Sequence, residues 1–400
     1  MISKKINNQL FYISFFLAFL GFYVVLLLVF NVGNAELSRK LTIPMRMIVG
    51  LGSIFIFLLN FRSKLPYLKW FYCFAFIYSI RIMIDYNTIK YFYISYTELI
   101  FFFLSFVIIP FVGLSKVNYK IINFSKLYKI FLTSALLFSI FSIFMYGKYI
   151  GQITRVSSNT TGESAMSPLI LSYCGAVIIG VVAFYLLYVK KINKLTKYLS
   201  LVTIALAVIP FFLGASRGSI FAIFIPFFIM AISNLSFKSI LKYILLLTII
   251  IILLFYLDEY LGSGLLNRFM GTSEAIERGG SSASRLDIWS KSLSQFLEFP
   301  FFGDRLNTVG VDYYPHNIYI EVLQTTGVIG GIPFFVLVYK TIKASFNIFK
   351  NHREYAWIPV IFIQSVMRHM FSGALYNASW FWVSMTIVLS LNYYLNKNEK

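Results

Sequence analysis

Residues 198–232 read YLSLVTIALAVIPFFL (198–213), GASRG (214–218) and SIFAIFIPFFIMAI (219–232). Two apolar runs are separated by five residues that carry a single guanidinium, Arg217. A hydrocarbon core about 30 Å thick takes about 20 helical residues to cross. The stretch therefore reads as two membrane helices joined by an abrupt turn. The same rhythm continues on both sides of it. Spans are expected at 10–30, 43–59, 68–86, 91–114, 128–146, 167–188, 198–213, 219–232, 240–256, 328–338, 357–370 and 375–394. The run at 240–256 is the most aliphatic and should face lipid over much of its surface. Overall 59% of the residues are hydrophobic and 12% charged, against roughly 25% charged in soluble proteins. A water-soluble enzyme is excluded. The fold class is all-α, a polytopic helical membrane protein with about 12 transmembrane helices in a single integral membrane domain, 1–400. Lys4 and Lys5 precede the first run without a small-residue cleavage site after it, so that helix is read as retained.

The formal net charge of +20 looks like a nucleic-acid signal, but the lysines sit in short clusters between apolar runs. That is the pattern of cytoplasmic loops, and no nucleic acid is expected as a partner. With the N-terminus inside, Lys64, Lys69, Lys116, Lys120, Lys190, Lys191, Lys340, Lys343 and Lys350 all fall on the cytoplasmic side, and an even number of spans returns the C-terminus there. Both termini are read as cytoplasmic. The loop at 147–166, the Arg217 turn, the Arg368-His369 turn and a large loop at 258–315 with short helices then share the opposite, outer face. Cys73 and Cys174 lie inside apolar runs, so neither a disulfide framework nor a thiolate metal site is suggested. No nucleotide-type glycine loop and no HExxH occur, and no metal or cofactor is expected.

Several residues on the outer side could carry chemistry. Arg217 lies between Gly214 and Gly218, where the backbone can turn closely. It reads either as a snorkelling arginine in a short hairpin or as a planar donor fork for a phosphate-bearing ligand. Arg285 opens SRLDIW (284–289), an interfacial amphipathic helix in which Trp289 would be the membrane anchor; its bland reading is a salt bridge to Asp287. Arg278, beside Gly279 and Gly280, is a third donor or loop surface. His316 follows Pro315 at the re-entry into the membrane and suits proton abstraction from a hydroxyl, with Asn317 able to hold its ring. His369, next to Arg368, is the competing histidine. Glu321 and Glu98 are the acids that enter the spans. Ion-coupled transport commonly needs buried carboxylates, and few are found.

Gly214-Ala215-Ser216-Arg217-Gly218, Ser284-Arg285-Leu286-Asp287-Ile288-Trp289, Glu298-Phe299-Pro300-Phe301-Phe302-Gly303 and His316-Asn317-Ile318-Tyr319-Ile320-Glu321, followed by Gly327 and Gly330, together resemble the bacterial O-antigen polymerase and O-antigen ligase superfamily. The likeness is best from 201 to about 335. It implies a fold similar to the GT-C-like O-antigen ligases and a metal-independent, inverting glycosyl transfer at the outer face of the bacterial cytoplasmic (inner) membrane. The donor would be a glycan on undecaprenyl diphosphate and the acceptor a second glycan, with membrane lipid around both and room for a chain-length regulator. Arg217 and Arg285 would contact the diphosphate and His316 would act on the acceptor hydroxyl. Asn317, Glu321, Arg278, Arg368 and His369 would support them. The expected activity is polymerisation of oligosaccharide repeat units of an O-antigen, capsule or exopolysaccharide. Ligation of finished polymer to a lipid or protein acceptor, flipping or transport of a polysaccharide lipid, and a non-catalytic scaffold are the alternatives.

Overall fold

The computed structural model describes residues 2–18, 35–60, 65–89, 92–157, 161, 166–233, 237–271, 281–311 and 313–397. Its helices follow the apolar runs in order: α1 (Ile2–Ala18), α2 (Ala35–Leu59), α3 (Leu68–Thr88), α4 (Tyr96–Ser115), α5 (Phe124–Tyr146), α6 (Pro168–Tyr188) and α7 (Lys194–Gly214). After them come α8 (Arg217–Ser233), α9 (Phe237–Leu261), the short α10 (Leu265–Met270), α11 (Ser281–Glu298), α12 (Ile318–Asn351), α13 (Trp357–His369) and α14 (Ser379–Asn396). Among the described residues six helices, in α2, α4, α5, α6, α7 and α12, are long and apolar enough to cross a membrane, and α8 is a shorter apolar helix. No strand occurs among the described residues beyond an isolated bridge between Thr308 and Tyr313. The chain is an all-α polytopic membrane protein. Eleven expected spans fall on helices, the tenth running on to Asn351, and most of the first lies outside the described residues.

Local sequence starts several of these helices. Asn123, Asn193 and Ser95 stand just before α5, α7 and α4, and their side chains accept from Lys126 N at 2.9 Å, Leu195 N at 2.9 Å and Glu98 N at 3.2 Å. Each cap satisfies one of the amides that a helix start leaves without a partner. The core is built on α6, α13 and α14, whose residues are largely buried all round. Aromatic stacking ties the outer helices to this core, Phe74 on Trp382 at 5.2 Å and Tyr128 on Tyr185 at 3.3 Å between centroids. Leu241, Leu245, Ile249, Ile252 and Tyr256 of α9 are exposed, as expected of a lipid-facing helix.

One helix is interrupted. Gly327 of α12 has φ 58° and ψ −159°, a conformation open to glycine alone. Such a break frees backbone groups that lipid cannot satisfy, and the segment Pro300–Asp304 satisfies them. Val328 N donates to Pro300 O at 2.8 Å, Ile329 N to Phe301 O at 3.2 Å, and Asp304 N to Gln324 O at 2.9 Å. Arg81 of α3 completes the clasp by donating to Thr325 O at 2.8 Å, to Phe302 O and Gly303 O at 3.0 Å, and to Asp304 O. Its neighbour Asp85 pairs with it at 3.5 Å and accepts Leu306 N at 2.7 Å. A Cβ on Gly303 would stand 2.5 Å from Thr326 N, and one on Gly327 would stand 2.4 Å from Phe301 O. The PFFGD segment is therefore a clasp that locks the broken helix, and it fixes the chain that leads to His316.

Candidate functional site

The turn between α7 and α8 packs too closely for side chains. A Cβ on Gly214 would meet Pro168 O at 2.3 Å, and one on Gly218 would meet Tyr173 Oη at 2.1 Å. Ala215 takes φ 38°, in the left-handed region. Ser172 of α6 ties the turn down: its hydroxyl bonds the Ser219 hydroxyl at 2.6 Å and receives Ser216 N at 3.3 Å. Arg217 is thereby set at the first position of α8.

The turn also leaves carbonyls at the C-terminal, partially negative end of α7, and two further arginines use them. Arg155 Nε donates to Gly214 O at 3.2 Å, and Arg268 Nη1 to Ala215 O at 3.2 Å. Arg155 arrives on the 147–166 loop, which is pinned by Gly151 N to Leu261 O at 3.0 Å and Val156 N to Leu213 O at 2.9 Å. Arg268 is carried by α10. The buried carboxylate of Asp258 holds that helix by accepting Leu265 N at 2.9 Å, Leu266 N at 3.0 Å and the Ser263 hydroxyl.

Arg285 comes from α11 and closes the arrangement. Arg155, Arg217, Arg268 and Arg285 line one cleft of about 410 Å³, with Leu169, Phe221, Phe269, Trp289 and Phe371 as its apolar walls. Among the described residues, no acid lines it. Burial, and then the fields of Arg268, Arg285 and Arg217, lower Arg155 to about 10. Burial and Arg217 lower Arg268 in the same direction. A value near 10 leaves Arg155 cationic at neutral pH. Two unit charges about 4 Å apart interact by about 4 kcal/mol near a protein surface, so a doubly charged anion entering here converts mutual repulsion into attraction.

His316 stands beside the cleft rather than in its wall. Trp289 links the two: it lines the cleft, and its Nε1 donates to Pro315 O at 2.8 Å. Burial, and then the positive field of Arg285, hold His316 down to about 4, so its ring is neutral and able to accept a proton at neutral pH. Its backbone is in the left-handed region, φ 57°, and the rings of Tyr313 and Tyr314 lie 5.1 and 4.5 Å from its own. The arrangement combines a cationic recess able to take an anion with a neutral imidazole beside it, which can accept a proton.

Residues 202–335 match the O-Antigen ligase family. The match is consistent with the O-antigen polymerase and ligase superfamily, covers about a third of the chain, and contains Arg217, Arg268, Arg285 and His316. Arg155 lies outside it. The family suggests a glycosyltransferase-like membrane enzyme of polysaccharide biosynthesis. No curated protein matches the chain.

Other expected site residues fall differently. Trp289 is not a lipid anchor, because its indole N–H is bonded inside the protein and its ring walls the cleft. The outward apolar residues of this region are instead Leu293, Leu297, Phe299, Phe301 and Phe302, while the inward face of α11 is polar. There Gln295 Nε2 donates to Asp304 Oδ2 at 2.8 Å, and Ser292 bonds Thr308 at 2.8 Å. Asp287 pairs with Lys291 at 2.7 Å. Asn317 does not hold the His316 ring through its side-chain oxygen, which caps α12 by accepting Tyr319 N at 3.0 Å and Ile320 N at 3.3 Å. Glu321 is buried and accepts Leu375 N at 3.0 Å, which ties α12 to the loop before α14. His369 is also buried, and its Nδ1 donates to Ser365 O at 2.7 Å, the bond of a core histidine. Arg368 packs over Trp380 at 4.7 Å and Tyr173 at 6.0 Å, behind the GASRG turn. Arg278 lies outside the described residues.

Arg155 and Arg268 escaped the sequence reading as site residues. One signal could have found them. Lysine dominates the loops at one end of the bundle, and arginines gather in the long loops at the other.

Proposed function

We propose that the protein polymerises glycan repeat units carried on undecaprenyl diphosphate, at the outer face of the bacterial cytoplasmic membrane and with both termini cytoplasmic. The observation that carries this reading is the four-arginine cleft with a neutral histidine at its edge. The diphosphate of the donor lies in the cleft. The acceptor hydroxyl oxygen attacks the anomeric carbon from the face opposite the diphosphate, and His316 takes its proton. The new glycosidic C–O bond forms as the C–O bond to the diphosphate breaks, and the lipid diphosphate leaves with that electron pair. The guanidinium forks stabilise the charge it gains. Configuration at the anomeric carbon inverts. Asn317, Glu321 and Arg368 hold the surrounding helices, and His369 remains in the core.

The test uses full-length protein in liposomes with the lipid-linked repeat unit isolated from cells that lack this protein, in the presence of EDTA. A ladder of products rising by one repeat supports polymerisation. The family description, O-antigen ligase, favours a second reading, and transfer only to a supplied lipid A-core acceptor would establish it. Neither product from folded protein and a verified substrate would remove the transferase reading and bring transport forward.

The pH profile gives an independent check. A base must be neutral, so activity is lost as pH falls through its pKa. In the free protein that pKa is about 4, and the acid limb of kcat/KM is expected near there. A bound diphosphate offsets the field of Arg285, so the acid limb of kcat, which reports the bound complex, should lie higher, toward the ordinary 6.5. A kcat/KM limb at or above 6.5 would contradict the assignment of His316.

A further inference from the structure

The tyrosines around His316 form a surface of different chemistry from the cleft. Tyr313 and Tyr314 stack on each other at 4.4 Å, and Tyr93, from the loop before α4, lies 4.5 Å from Tyr313 and 5.5 Å from Tyr314. Tyr93 Oη meets Tyr376 Oη at 2.6 Å, and Phe92 extends the surface 4.5 Å beyond Tyr93. Tyr313 is exposed, and none of these residues lines the arginine cleft. Three loops far apart in sequence thus meet at these rings, two of which, Tyr313 and Tyr314, lie against the imidazole. Their backbone is held as well, since Thr308 N donates to Tyr313 O at 2.8 Å and Trp289 fixes Pro315.

We infer that this tyrosine ledge is a saccharide-binding subsite that seats the uncharged sugar rings of the acceptor next to His316. The inference rests on the transferase reading for its purpose, but the ledge is argued from its own chemistry. Sugar rings present C–H faces that pack on aromatic faces and hydroxyls that bond to phenols. Tyrosine supplies both an apolar body and a polar tip. A phosphate would instead be drawn to the guanidinium forks. Cations are concentrated in the cleft and neutral aromatics on the ledge, and the groups that react are segregated in the same way. A belt of interfacial tyrosines would account for aromatic content at this depth, but gives no reason for two rings to pack against the imidazole.

The probe is the free oligosaccharide released by mild acid from the lipid-linked repeat unit that accumulates in cells lacking the protein. Saturation-transfer NMR on detergent-solubilised full-length protein should show transfer from tyrosine ring protons to sugar C–H protons. Tyr313→Ala should weaken binding about tenfold, the scale of one lost aromatic contact, and Tyr313→Phe should largely retain it. Binding of inorganic pyrophosphate should be unchanged in Tyr313→Ala and weakened in Arg285→Ala, which shows that the first variant is folded and the cleft intact. Saccharide that fails to bind wild type, or binds Tyr313→Ala equally well, would overturn the ledge while leaving the cleft and the ladder assay to speak for the reaction. Saccharide bound through Tyr313 by a protein that yields no ladder and no ligated product would uphold the ledge and remove the transferase reading instead.

Discussion

His316→Ala is expected to lower the rate of glycan transfer about 10²–10⁴-fold, the range spanned by loss of a positioned general base. The substitution should leave the protein folded. His316 is only partly buried, its backbone already lies in the left-handed region, and the helix that follows is capped by Asn317 rather than by the imidazole. Pyrophosphate should still bind, because the cleft arginines stand on α8, α10, α11 and the 147–166 loop. The measurement is single-turnover transfer with saturating lipid-linked donor, which separates the chemical step from binding. A variant within threefold of wild type would show that the hydroxyl proton leaves by another route. His369 is the obvious alternative, yet it is buried with its Nδ1 committed to Ser365 O, so His369→Ala should act on stability first.

Arg285→Ala is expected to cost about 10²–10³-fold in the chemical step, typical of removing one preorganised donor from a developing negative charge. Arg217→Ala should fall in the same range. Lysine should rescue neither fully, because a point charge cannot reproduce a bidentate fork. The two positions should be distinguishable by pH. Arg285 is the charge that His316 feels, so Arg285→Ala should also move the acid limb of kcat/KM upward, while Arg217→Ala should leave it in place. The double variant should lose less than the product of the single losses, since groups that act on one leaving group are not additive. Equal transfer rates in wild type and Arg285→Ala, with pyrophosphate binding intact, would put the reacting phosphate elsewhere.

Some of this was legible in the linear sequence. Helices that cross lipid must satisfy their own backbone and carry few charges, so each writes its length directly into a run of apolar residues. The runs at 198–213 and 219–232, and the glycines around Arg217, needed no structure to be read. Nor did the entry at His316. The likeness of 201 to about 335 to the O-antigen polymerases and ligases was legible for the same reason, because its motifs are local.

What only the tertiary structure decided depends on groups distant in sequence. Arg155 and Arg268 join the cleft because both reach the carbonyl end of α7, one on a loop and the other on a helix that Asp258 holds. Nothing near either residue in the chain encodes that meeting. Trp289 looked like a lipid anchor from its helical spacing, and it became a wall of the cleft because Pro315 O, on another loop, takes its N–H. Asn317 and Glu321 looked like partners of His316 and spend their oxygens on backbone amides instead, one of them more than fifty residues away. Sequence determines which segments enter the membrane, since hydropathy is a property of each segment alone. Which cations share a cleft, and which histidine stands at its edge, is decided by packing, because a hydrogen bond or a field acts across space and leaves no periodicity in the chain.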